Sequence, residues 1–257
     1  MYIQELSLEI KTDFDKEKIV DEFLILLSFY RKSGQLQSDN EASYIADNFI
    51  KCNIATLEKK SLKKKYNTDW VSTQLDKTEK LCSSKLQVKT VGKTYENYSG
   101  VCNCKKHDFL ILFTHFVNNA GPLDCGNCFK PIPLYKLTKL DQSIRQDILC
   151  WEQDYKSCDN LQMLCTVGEK WATKQMTDHN SQLSREGIEI CNQIKLLTGI
   201  STFYYLYNRR KLKIDNDKKR LCPSCNGQWI LEKELDNFFC FKCNNCDLIS
   251  SLTSNCY

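Results

Sequence analysis

Histidine is scarce in this 257-residue chain, which has three of them. His107, His115 and His179 are scattered, and no H-E-x-x-H pair places two on one helix face. G-x-S-x-G and G-x-G-x-x-G are also absent. Gly92-Lys93-Thr94 resembles the end of a phosphate loop, but the required earlier glycine is Gln87. A Cys–His nucleophile pair forms in space and not along the chain, so motif absence does not address it. The expectation is a protein that is not an enzyme, with no catalytic residues, no cofactor-binding loop and no evident small-molecule substrate.

Long apolar runs are missing too. None approaches the ~18 residues of a membrane span. Residues 1–14 carry Glu5, Glu9, Lys11 and Asp13 and lack the apolar core of an export signal. A cytoplasmic, reducing setting without a membrane partner is expected, and there the sequon Asn97-Tyr98-Ser99 carries no meaning. The net charge of +4 permits a polyanionic partner without requiring one.

What is abundant is cysteine, with sixteen residues. The chain is organised around Cys222-Pro-Ser-Cys225 and Cys243-Asn-Asn-Cys246. Two residues between cysteines let one tight turn aim both sulfurs at a single point. Two such turns complete a tetrahedral sulfur shell, the geometry of structural zinc. Between them, Trp229 and Leu231 alternate in 228–232, and Phe239 and Phe241 alternate in 237–241. Polar residues 233–236 are expected to turn the chain, giving a zinc ribbon. Cys240 reads as packing, with competition as a ligand the alternative. Four thiolates leave no open position for water or substrate, so this zinc is structural.

A second constellation, Cys102-Asn-Cys104 and Cys125-Gly-Asn-Cys128, flanks an apolar strand at 109–113. Gly126 suits a tight metal turn, and His107 is near enough to substitute as a ligand. C-x-C is a poorer knuckle than C-x-x-C, so the alternatives are a second zinc site and reduced thiols at strand ends.

The periodicities give an α+β fold. Residues 2–11 alternate as a half-buried strand, and the spacing predicts a helix from Asp15 to about Arg31. Residues 35–48 read as loop, 49–56 as a strand, 61–79 as a helix with a serine cap, and 85–91 and 109–113 as strands. Together they suggest an α/β sandwich. Three amphipathic stripes follow, containing Leu140 to Tyr155, Leu161 to Gln175 and Leu183 to Leu197. Ser181 caps the last, and Gly199 ends it. Residues 202–207 read as a strand buried on both faces. The expected domains are an α+β part at 1–137, a helical part at 138–208 packed on it, a basic linker at 209–220 and a C-terminal zinc-ribbon hairpin at 221–257. The linker is either a solubilising tether or a phosphate-contacting arm. The Lys59, Lys60, Lys63, Lys64 and Lys65 cluster is likewise a solvated face or a nucleic-acid patch.

Cys125-Gly-Asn-Cys128-Phe129 with Pro133-Leu134-Tyr135, Trp151 with Tyr155, Cys158-Asp159, Gly168-Glu169, Thr198-Gly199 with Tyr204-Tyr205-Leu206, and the terminal C-x-x-C pairs carry a family likeness. The chain resembles a bacterial family described as zinc-ribbon-containing, with nucleic-acid binding inferred from the ribbon and function otherwise unknown. Some similar proteins are immunity proteins encoded beside polymorphic toxins of Rhs or type VI secretion type. The resemblance implies a cytosolic antitoxin that binds and neutralises a cognate toxin domain. The alternative it implies is a nucleic-acid-binding zinc-ribbon protein.

Overall fold

A computed structural model describes residues 1–13, 15–37, 41–94, 98–209 and 213–253. Asn97 of the sequon, Arg210 and Lys211 of the basic segment, and the last four residues of the expected ribbon lie outside the described residues. The fold is α+β, and the chain packs into two compact units.

Unit 1 comprises residues 1–101, 119–121 and 132–146. Its antiparallel sheet has the order β2-β3-β1-β4, from β1 (Tyr2–Glu9), β2 (Ser43–Ala46), β3 (Phe49–Thr56) and β4 (Gln87–Lys93). Leu6 and Leu8 alternate onto one face with Ile50, Cys52 and Ile54. There they meet Ile19, Phe23, Leu26 and Tyr30 of α1 (Lys16–Lys32) and Val71 and Leu75 of α2 (Asp69–Cys82). Asp15 caps α1, its side chain accepting from the Glu17 N–H.

Three local expectations need correction. The 35–48 loop contains β2, because Asp47 and Asn48 adopt positive φ and close a tight hairpin onto β3. The 61–79 helix begins only at Asp69, with Thr68 as its cap; Lys64–Tyr66 is a single 3-10 turn. Ser61 caps nothing and bonds Glu58 and Tyr135 instead.

Unit 2 comprises residues 102–118, 122–131 and 147–257. Its six-stranded sheet has the order β6-β5-β7-β10-β9-β8. These are β5 (Leu110–Leu112), β6 (Leu123–Cys125), β7 (Thr202–Tyr205), β8 (Ile230–Leu235), β9 (Phe239–Cys243) and β10 (Leu248–Ser251). The central strand β7 runs parallel to both β5 and β10 and is buried throughout, as its two-sided apolar sequence predicts. The expected boundaries at 137/138 and 220/221 therefore do not follow the packing: residues 102–131 and the C-terminal ribbon share one sheet.

Behind one face of that sheet lie α4 (Glu169–Thr177), α5 (Gln182–Thr198) and the body of α3 (Gln142–Leu164). Gly187 on α5 has a packing reason. A Cβ there would meet the Tyr204 ring at 2.3 Å and Trp151 Nε1 at 2.7 Å. The second expected helical stripe breaks where Cys165 and Gly168 take positive φ, so Leu161 and Leu164 finish α3 and α4 starts afresh. Ser181 and Gly199 cap α5 as the sequence suggests.

The described part of the basic linker is folded. It forms α6 (Ile214–Asp217), and the buried Asp217 side chain accepts from Asn208 and Thr253 and pairs with Arg220 at 3.3 Å. The Arg220 guanidinium lies 4.2 Å from the Phe241 ring centroid and 4.8 Å from that of Trp229. Arg209 pairs with Glu169 at 3.0 Å. These two arginines serve the fold and are not a free phosphate-contacting arm.

Candidate metal centres

The structure gathers both cysteine sets. Cys222, Cys225, Cys243 and Cys246 bring their sulfurs within 4.8 Å of one another, and so do Cys102, Cys104, Cys125 and Cys128. Cys225 Sγ and Cys243 Sγ are 3.7 Å apart. A disulfide needs about 2.05 Å. A tetrahedron with metal–sulfur bonds of about 2.3 Å has edges of about 3.8 Å. Each four-cysteine group could therefore hold a metal ion, with a donor set and spacing consistent with zinc. No other group of this kind occurs among the described residues.

Local backbone explains how the sulfurs converge. In each C-x-x-C pair the residue after the second cysteine turns left-handed: Phe129 at φ 52°, Asn226 at 57° and Asp247 at 49°. Two of these turns close by N–H bonds from Phe129 and Asn226 back to the carbonyls of Cys125 and Cys222, both 2.8 Å. Asn and Asp tolerate this conformation; phenylalanine does so only under constraint. The first cysteine of every pair is buried, and the second lies nearer the surface.

The ribbon turn sits two residues later than expected. Strand β8 runs through Leu235, and Asp236-Asn237, both at positive φ, make the reversal. Strand β10 adds a third ribbon strand that the sequence reading omits. The 102–128 group has the same plan: a cysteine pair, two antiparallel strands, a knuckle, and a returning bridge from Pro131 to Asp124.

Electrostatics fits a cation at both places. Burial pushes the Cys222, Cys243 and Cys102 thiols up, whereas the Gly227 backbone N–H and neighbouring thiols draw Cys225 down to about 7. The buried thiols left alone stay protonated; a divalent ion turns such a set into thiolates. Backbone N–H groups of Cys104 and Asn127 point at Cys102 Sγ (3.3 Å) and Cys125 Sγ (3.4 Å).

His107 does not replace a cysteine. Its Nδ1 lies 3.3 Å from Cys125 Sγ, beside the four sulfurs. Gly126 is required for another reason than the one expected, since its φ is not left-handed. A Cβ there would strike the Phe109 ring at 2.4 Å. Cys240 stays outside the metal group, with Glu234 Oε2 at 3.7 Å and the Phe238 carbonyl at 3.6 Å.

A feature the sequence reading missed lies on the helical side of unit 2. Asp147, Asp154, Glu186 and Glu189 line a groove of about 490 Å³ with Trp151 and Ile190. Asp147 and Asp154 are seven apart on α3, so their shared face was readable once that helix was drawn. A neighbouring cavity shares Asp154 and Glu186 and reaches Trp171, which is 58% exposed. Leu164 and Val167 are also exposed. No described helix is long and apolar enough to cross a membrane.

Three family models match the chain, each described as a domain of unknown function: DUF8589 over residues 1–92, DUF2310 over 104–207 and DUF8594 over 211–256. Two proteins of Haemophilus influenzae, both named only as uncharacterized, are 37% identical over 145 residues, or 56% of this chain. The chain spans 71% of one and 56% of the other. No solved structure matches. With 37% identity across 71% of the first relative, the chain belongs to the family of that uncharacterized Haemophilus influenzae protein.

Proposed function

We propose that this is a non-enzymatic protein with two structural zinc ions, and that it acts by holding a basic segment of a protein partner in the acidic groove between α3 and α5. The groove carries the reading. Asp147, Asp154, Glu186 and Glu189 face Arg185 as the one basic lining residue. Exposed Trp171, Leu164 and Val167 lie on the neighbouring α3–α4 surface. Apolar surface rimmed by charge is what a protein partner covers. Complementary charge speeds such an encounter. Four thiolates at each metal leave no coordination position for chemistry.

Within this reading the partner is a cognate toxin domain, and binding neutralises it in the cytoplasm. That identity rests on the family resemblance of the sequence. The eight cysteines of the two metal groups form no disulfide, in keeping with a reducing compartment. Nucleic acid fits this groove poorly, because its phosphates would meet four carboxylates.

The test is titration of the purified chain with the protein encoded by the adjacent gene. Binding that weakens at least tenfold in the Asp154→Lys, Glu186→Lys double variant supports the proposal. No binding, or binding indifferent to that variant, sinks it. Retention of DNA or RNA at low salt with a steep salt dependence would favour the nucleic-acid alternative.

A further inference from the structure

We propose that unit 1 carries a binding site for a mononucleotide-sized molecule bearing one phosphate and one flat ring, in the cavity where α2 and α3 begin, with Arg145 as its charged anchor. This goes beyond the reading above and involves different residues.

The cavity measures about 440 Å³, within the range of small-molecule sites, and Lys65, Tyr66, Trp70, Tyr135, Gln142 and Arg145 are among its lining. Arg145 is 5% exposed, yet its Nε and Nη1 have no hydrogen-bond partner. Its Nη2 reaches only the Leu137 carbonyl, at 3.4 Å. It makes no ion pair among the described residues. Asp141 is the acid whose charge acts on it, but Asp141 Oδ1 accepts from the Ile144 N–H at 3.0 Å to cap α3. A buried, unpaired guanidinium is costly and is retained where an anion completes it. Both polar atoms of the Gln142 amide are likewise buried without partners. They add two donors and one acceptor beside the arginine.

The surroundings favour an anion and a ring together. Thr68 and Asp69 begin α2, and Asp141 and Gln142 begin α3, so the positive ends of two helix dipoles border one cavity. Tyr66 and Tyr135 rings lie 4.8 Å apart, and Trp70, 52% exposed, offers a face at the mouth. Lys65, one of the five clustered lysines, lies 4.6 Å over Tyr66 and lines the cavity as a second cation. Asp69 and Asp141 also line the cavity, so it suits a single anionic group held at Arg145 and not a polyanion track.

The experiment titrates the full chain with inorganic phosphate, adenosine 5′-monophosphate and adenosine, reading melting temperature and tryptophan fluorescence. The nucleotide is expected to bind at least about tenfold more tightly than phosphate, and adenosine more weakly than the nucleotide. Arg145→Met should abolish nucleotide binding while raising the melting temperature of the ligand-free chain, because it removes an uncompensated buried charge. Trp70→Ala, at an exposed position, should weaken the nucleotide and leave phosphate unchanged, and it decides the matter if the arginine variant does not fold. The proposal is overturned if no probe binds at millimolar concentration, if Arg145→Met keeps nucleotide affinity, or if Arg145→Met folds but melts lower. Equal binding of phosphate and nucleotide removes the ring from the assignment.

Discussion

The 222–246 group carries two C-x-x-C knuckles, whereas the 102–128 group carries one knuckle and a C-x-C pair, yet both bring four sulfurs together. A C-x-x-C turn closes locally: the residue after its second cysteine goes left-handed, and at Cys125 and Cys222 a backbone bond from that residue to the first cysteine fixes the loop. Cys102 and Cys104 have no such turn. Their support is tertiary, from the Cys102 N–H bond to the Pro131 carbonyl at 2.9 Å and from His107 beside Cys125. One centre is held mainly by local backbone geometry, and the other depends on residues brought in from elsewhere in unit 2.

Removing metal from both centres has the largest expected effect. Apparent binding free energies of roughly 10–16 kcal/mol in zinc-finger peptides indicate how much such ions contribute to folding. A chelator should release two zinc ions per chain and strip hydrogen-exchange protection from the six-stranded sheet. Unit 1 strands should stay protected. A sheet that stays equally protected without metal would end the structural assignment of both ions.

Single replacements separate the centres. Cys222→Ser and Cys125→Ser should each lower bound zinc from two to one per chain by elemental analysis. Two ions still bound to Cys125→Ser would return the 102–128 set to reduced thiols and break the comparison.

The support from His107 gives a smaller, one-sided effect. A hydrogen bond from outside the ligand set typically tunes metal affinity about 10–100-fold. His107→Leu should therefore weaken one zinc ion by that factor in a chelator competition and leave the other unmoved. Equal weakening of both ions, or of neither, would contradict the asymmetry.

The smallest effect concerns the turn residues. Asn226→Ala should cost about 1 kcal/mol, because alanine lacks the short polar side chain that lets asparagine tolerate left-handed backbone, while Asn226→Gly should change little. Denaturant midpoints at saturating zinc measure both. An equal midpoint for alanine and glycine would show that the turn is not what orders this knuckle.

Legibility along the chain followed the range of the interactions. The helix period of 16–32, the alternation of 2–9, the Ser181 cap and the Gly199 end are local signals, and the structure has them. Neither hairpin turn is fixed by its polar residues: the 47–48 hairpin lies inside the expected loop and the ribbon turn sits later than 233–236, because positive φ at Asp47-Asn48 and Asp236-Asn237 makes the reversal. The need for Gly126 is not local, since the Phe109 ring that excludes a Cβ there lies seventeen residues earlier, just before β5. Arg209 and Arg220 looked like a free basic segment, because their acidic partners, apart from Asp217, and their ring partners are distant or unmarked in sequence.

By itself the sequence determined the paired cysteine spacing of 222–246 that could hold a metal ion, the α+β class and most helix positions, because each depends on spacings of two to four residues that backbone geometry converts directly into shape. Only the tertiary structure decided that the 102–128 cysteines converge and that both ribbons join one sheet through β7. It alone formed the acidic groove and left Arg145 buried without a partner. Those features require residues tens of positions apart to meet, and nothing local in the chain records which ones do.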